Sequence, residues 1–276
     1  MAWRGQLVRH LQIWVLTLAA VSAASCVPAS QDLPMIDRSK LLIALERTAC
    51  YGTCPAYVVT IDGSGRVVFT AEKRTDGGSH EFGPMQSMPY VLHPGRHEDR
   101  ISPAAVDALV DQFRKARFFT LRSKYEAAIT DNPTYVLTLR TGNGTKQVID
   151  YAGERAGMPK IVTDLENAVD KAAGTERWIR GADGLVEWLA ARQFDFKSQA
   201  GVELAIYGLE EADNSTLVDL VDRGVPLEMP FPGKGGKPVG YHLMEGAVRY
   251  GRTDLFNKIV GLGWLPRLGL PEASRA

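Results

Sequence analysis

Twice in the first 175 residues a β-hairpin signal is followed by an amphipathic helix, and this alternation limits the fold more than any other feature of the chain. Residues 58–61 and 66–72 are β-rich runs on either side of "DGSG", whose Asp and Gly residues suit a tight reversal. Residues 102–119 then begin with Ser102 as an N-cap and Pro103 in the first helical position. Ala105, Val106, Leu109, Val110 and Phe113 form an i, i+3, i+4 stripe along that helix. The pattern repeats downstream. "PTYVLTL" and "KQVIDY" flank "RTGNGT", with Asn143-Gly144 at the tip. "MPKIVTDLENAVDKAA" follows and places Ile161, Val162, Leu165, Val169 and Ala172 on one helical face. "KLLIALERTA", residues 40–49, suits a helix or a strand, and a strand beside the first hairpin fits better, because consecutive strands tend to be neighbours. Residues 76–100 read as a long loop containing three histidines. The order ββ, α, ββ, α predicts an α+β domain over residues 41–179, an antiparallel sheet of two hairpins with two helices on one face.

After Trp178 the β signals stop. "GLVEWLAARQF", "STLVDLVDRGV" and "TDLFNKIVGLGW" are short helical pieces punctuated by glycine. Leu185 aligns with Leu217 at an offset of 32, and Leu217 with Phe256 at an offset of 39, the excess lying in "MPFPGKGGKP". A period of about 33 is that of ankyrin repeats. Residues 182–270 therefore resemble an all-α, ankyrin-like array of degenerate units. "GYHLMEGA" stands where the ankyrin T-P-L-H-x-A fingerprint would be. An unrelated small helical bundle is the competing reading.

The first 25 residues stand apart from this globule. Arg4 and Arg9 precede an uncharged apolar run, residues 11–24, shorter than the roughly 20 residues a membrane span needs. Ser22, Ala23, Ala24 and Ser25 follow. This is a secretory signal pattern. "AASCVP" resembles a lipobox, with Cys26 as the lipidated first residue of the mature chain and residues 26–40 as a tether. Ala23 occupies the position where that pattern prefers Leu, and cleavage after Ala24 is the alternative. Val27, rather than Asp, after the cysteine resembles an outer-membrane destination. The chain is thus expected to be exported, periplasmic and anchored to the outer membrane through lipid on Cys26.

Three cysteines are an odd number. Pairing Cys50 with Cys54 leaves Cys26 for the lipid. In "RTACYGTCPAY" the two cysteines have three residues between them, and Pro55 leads into a strand. A thioredoxin-like site needs two intervening residues and a helix start. Zinc needs four ligands, and Cys50, Cys54, His93 and His97 supply a C-x3-C…H-x3-H pattern. The histidines, however, lie in "HPGRH", which is no helical i, i+4 pair. A disulfide suits an exported chain best, and Gly52 can bend the chain between the cysteines. The loop histidines His80, His93 and His97 remain the metal-binding alternative.

"CYGTCPAYVVTIDGSGRVVF", "ISPAAVDALVDQFRKARFFTL" and "TDNPTYVLTL" together resemble an uncharacterised family of exported bacterial domains with a C-Y-G-x-C-P-x-Y signature. The resemblance covers residues 41–179. It implies the architecture and the compartment, and no activity. Tyr125, Thr130 and Asp131 are polar positions within it. A site role for Tyr125 and Asp131 competes with a turn role for Asp131 before Pro133. Tyr51 and Tyr57 could line a surface, or sit half-buried in the sheet.

Thirty-two basic and 32 acidic residues balance to zero net charge, which argues against a nucleic-acid footprint. "GKGGKP" has only the composition of a phosphate loop. No cofactor is implied. The function this sequence suggests is a non-enzymatic envelope lipoprotein whose helical repeats bind a protein.

Overall fold

The computed structural model describes residues 36–72, 90–182, 184–231 and 236–264. Cys26, the export signal and His80 lie outside these residues. Seven strands form one sheet: β1 (Leu42–Arg47), β2 (Tyr57–Asp62), β3 (Arg66–Ala71), β4 (Gly95–Arg100), β5 (Lys124–Glu126), β6 (Thr134–Thr141) and β7 (Gly144–Tyr151). Their order is β4-β3-β2-β1-β6-β7-β5, antiparallel except for the parallel β5–β7 pair. The sheet is therefore wider than two hairpins. β1 joins β2 to β6 at its centre. The additional edge strand β4 comes from the segment whose histidines and prolines read as loop. Its sequence, GRHEDR, carries charges at alternate positions that lie outside the core, a common way to keep an edge strand from pairing with another chain.

One face of the sheet is buried, as the period of two requires. Leu139, Ile43, Ile61 and Val67 form one row across β6, β1, β2 and β3, and Leu137, Leu45, Val59 and Phe69 form the next. All eight are fully buried. α2 (Ile161–Ala173) packs on β1 and β2 through Val162, Leu165 and Val169, and α1 (Pro103–Lys115) packs beside α2 through Val106, Leu109, Val110 and Phe113. The Ser102 hydroxyl caps α1 by accepting from the Ala105 N–H at 3.2 Å.

Six helices follow: α3 (Glu176–Arg180), α4 (Leu185–Ala190), α5 (Gln199–Glu211), α6 (Asn214–Asp222), α7 (Val239–Arg249) and α8 (Thr253–Gly261). α6 packs between α4 and α8, α5 packs on α7, and α5–α6 and α7–α8 are in contact as consecutive pairs. Close packing depends on glycine where helices meet. A Cβ on Gly246 of α7 would come within 2.6 Å of the Leu209 side chain of α5. Lys258 of α8 pairs with Asp222 of α6, and the Asn214 amide donates to Asp254 at 2.7 Å.

Candidate functional site

The positions that carry the sequence signature gather at one end of the sheet. Cys50 and Cys54 lie at disulfide-bonding distance, with Cα atoms 5.6 Å apart. Their loop is tied to the "TDNPT" segment by three hydrogen bonds. The Tyr51 N–H donates to the Asp131 carbonyl (3.3 Å), the Thr48 N–H to the Thr134 carbonyl (3.0 Å), and the Thr134 N–H to the Thr48 hydroxyl (2.8 Å). Asp131 has a left-handed backbone, φ 69°, and its exposed carboxylate accepts from the Thr130 hydroxyl. Its position here is that of a bend residue. Tyr125 is buried on β5, with its ring under the Arg122 guanidinium at 4.5 Å and its hydroxyl accepting from the Arg122 N–H. Neither residue lines the two clefts described next.

Beyond the two apolar rows, the buried face of the sheet ends in a polar row. Tyr125, Asp150, Tyr135, Arg47 and Tyr57 are successive neighbours across β5, β7, β6, β1 and β2. Two acids of α2, one helical turn apart, come down near this row: Asp170 and Glu166. Asp170 is fully engaged. Its Oδ2 accepts from Arg47 Nε (2.9 Å) and Nη2 (2.6 Å), and its Oδ1 from the Tyr57 hydroxyl (2.6 Å) and the Thr175 hydroxyl (2.9 Å). The Arg47 guanidinium also lies 4.2 Å from the centre of the Tyr135 ring, a cation–π contact. Burial works against the charge of Arg47, but Asp170 outweighs it and holds the guanidinium above its ordinary pKa. Burial, then the Asp170 charge, raises the Tyr57 hydroxyl. A cleft of about 430 Å³ opens beside this group, lined by Arg47, Cys54, Tyr57, Tyr135, Asp170 and Lys171 among others.

Glu166 is 1% exposed, and its Oε1 has no hydrogen-bond partner. Burial pushes its carboxyl up to about 8, the neighbouring Asp150 adds to the rise, and Arg47 opposes it. Asp150, 7% exposed, is raised by burial, although the Gly153 N–H bonded to its Oδ1 at 2.6 Å works the other way. Both acids line a second cleft of about 270 Å³, with Asn132, Tyr135, Ala152 and Thr163 in its wall. Ala152 is left-handed here, φ 49°. A Cβ on Gly153 would come within 2.7 Å of Asp150 Oδ1, so only glycine fits behind the acid. Tyr135 lines both clefts.

His93 and His97 sit at the other edge of the sheet. Their rings stack with centres 4.2 Å apart, His97 Nε2 is 2.8 Å from the His93 carbonyl oxygen, and Trp178, Trp188, Phe69 and Phe194 surround them. Burial, then the neighbouring ring of His97, lowers His93 to about 3, and burial lowers His97. With Cys50 and Cys54 bonded to each other, the C-x3-C…H-x3-H set is not assembled. Among the described residues no group of three His, Cys, Asp or Glu side chains could hold a metal ion.

Glu166, Asp170, Asp150 and Tyr135 belong to no motif in the sequence. A signal was available. Glu166 lies four residues after Val162, inside the stripe that packs on the sheet, and Asp150 alternates with Val148 on the inward face of β7.

Residues 41–173 match the family described as "Domain of unknown function (DUF6438)". The matched residues include all seven described strands, α1 and α2, and with them Arg47, Tyr57, Asp150, Glu166 and Asp170. No curated protein matches the chain.

Proposed function

We propose that this chain is a non-enzymatic cell-envelope lipoprotein, held to the outer membrane through lipid on Cys26, in which a DUF6438 domain is followed by an ankyrin-like array that binds a protein partner. The observation that carries the reading is the layering of the helices. α4, α6 and α8 follow one another in one layer and α5 packs on α7 in a second, which is how stacked helical hairpins bury a continuous core. Two end positions support the repeat reading. Gly224 after α6 and Gly263 after α8 are both left-handed, with φ 97° and 84°. Leu185 and Leu217 are buried at corresponding places in α4 and α6. In α8, however, the burial falls on Leu255 and Ile259, one residue before the aligned Phe256 and Val260. Val248 and Tyr250 at the end of α7 are large apolar residues exposed at 69% and 42%, and such exposure on a repeat array suits contact with a protein.

A photo-crosslinking residue in place of Val248, in cells that produce the full chain, tests the partner. The expected result is a discrete adduct that is absent when the residue replaces Asp111 on the exposed side of α1. Equal labelling at both sites, or none at Val248, would count against an array that binds protein.

A further inference from the structure

The polar row and α2 together carry a second inference, about the DUF6438 domain itself. Asp170 and Glu166 project from one side of α2 towards the same row of the sheet. Below Asp170 stands Arg47, which neutralises it. The acid next along the helix has Asp150 as its charged neighbour in the cleft wall instead. Among the described residues neither Glu166 nor Asp150 is in an ion pair, Glu166 Oε1 is unpartnered, and both side chains are more than nine-tenths buried. Buried carboxylates without a counter-charge are costly, and a cation placed between them removes that cost. The charged groups around the pair are Asp170 on α2, Arg47 on β1, and Glu154 and Arg155 in the turn after β7. Arg47 is committed to Asp170, and Arg155 is exposed.

We propose that the Asp150–Glu166 cleft binds a small ligand through a protonated nitrogen bearing N–H donors, an ammonium or a guanidinium group. The donors would reach Glu166 Oε1 and the Asp150 carboxylate, with Asn132 and Thr163 as neutral polar neighbours in the wall. A divalent metal fits less well. Calcium takes six to eight oxygen ligands, and no third acid or histidine completes a metal set among the described residues. Entry of the cation would release the proton that Glu166 holds, so binding strengthens as pH rises. The binding constant is expected to increase about tenfold from pH 6 to pH 7 and to level off above roughly pH 8 to 9.

The test is a titration of the exported chain with methylammonium, guanidinium, tetramethylammonium and calcium, followed through the Gly153 amide by NMR at pH 6, 7 and 9. The expected result is saturable shifts with methylammonium or guanidinium, tighter at higher pH, and none with tetramethylammonium, which has the charge but no N–H. Glu166→Gln should weaken binding at least tenfold and abolish the pH dependence. The pH series on the unaltered chain keeps the test valid if that variant does not fold. Calcium binding in preference to the amines, equal response to tetramethylammonium, or no saturable shift at pH 9 would overturn the proposal.

Discussion

Asp170→Ala should be among the most destabilising single changes in the α+β part of the chain. The carboxylate accepts two hydrogen bonds from Arg47, one from Tyr57 and one from Thr175. The side chains of Arg47 and Asp170 are only 12% and 17% exposed, so water from the adjoining cleft replaces only part of what is lost. Removing one member of a buried pair strands the other, at a cost of about 3–5 kcal/mol. For a folded unit of this size each kcal/mol is worth about 2–4 °C, so the midpoint of thermal unfolding should fall by roughly 6–20 °C. The assay is thermal and urea unfolding at pH 7. The control is Arg47→Met with Asp170→Leu, which leaves no stranded charge. This double variant should lose much less than Asp170→Ala alone, because the single change is dominated by the orphaned guanidinium. A loss within about 1 kcal/mol of wild type for Asp170→Ala, or a double variant as unstable as the sum of its parts, would refute the reasoning.

Three further outcomes are expected. Replacing Cys50 and Cys54 with serine should cost about 2 kcal/mol in urea unfolding by the loop-entropy estimate, and added reductant should reproduce that loss in the unaltered chain. Gly246→Ala should lower the unfolding temperature, although Ala is the better helix former. Its Cβ would meet Leu209 of α5, and overpacking of this kind costs about 1–3 kcal/mol. His93 and His97 have lowered values in the folded chain, so the folded state resists protons that the unfolded chain takes up. The His93 contribution to stability is complete above the ordinary histidine value of about 6.5 and is lost as pH falls from there towards about 3, and the His97 contribution is lost in the same direction. The unfolding temperature measured from pH 7 to pH 4 should therefore drop more steeply for the unaltered chain than for His93→Phe.

Where one periodicity was unbroken, the sequence could be read directly. The stripe Val106, Leu109, Val110, Phe113 is the buried face of α1, and Ser102 caps it. The apolar run before the disulfide loop suits helix or strand alike; the tendency of consecutive strands to be neighbours favours a strand there, and the central place of β1 follows from its pairing with both β2 and β6. β4 was not legible, because an edge strand needs no inward apolar pattern and GRHEDR has none. Its histidine edge is fixed by long-range packing on Trp178 and Trp188, which no local pattern encodes. The α2 stripe is legible at Val162, Leu165 and Val169, which are buried, and fails only at its ends. Ile161 and Ala172 are only partly buried, whereas Glu166 and Ala173 are buried. An acid in the middle of an apolar face reads as an interruption until its neighbours from other strands are known. Tyr125 and Asp131 are signature residues in the sequence, but Asp131 stands in a bend and Tyr125 in a packed edge. Arg47, three residues before Cys50, makes the pair that Asp170 depends on.

The lipoprotein proposal rests on the first 27 residues of the sequence, and intact-mass measurement of protein extracted from membranes addresses it most directly. The account predicts a mature chain that begins at Cys26 and carries the added mass of lipid on that residue. It also predicts a gain of two hydrogens on reduction, for the Cys50–Cys54 bond. An unmodified chain that begins at Ser25, or one that retains the apolar leader, would contradict it.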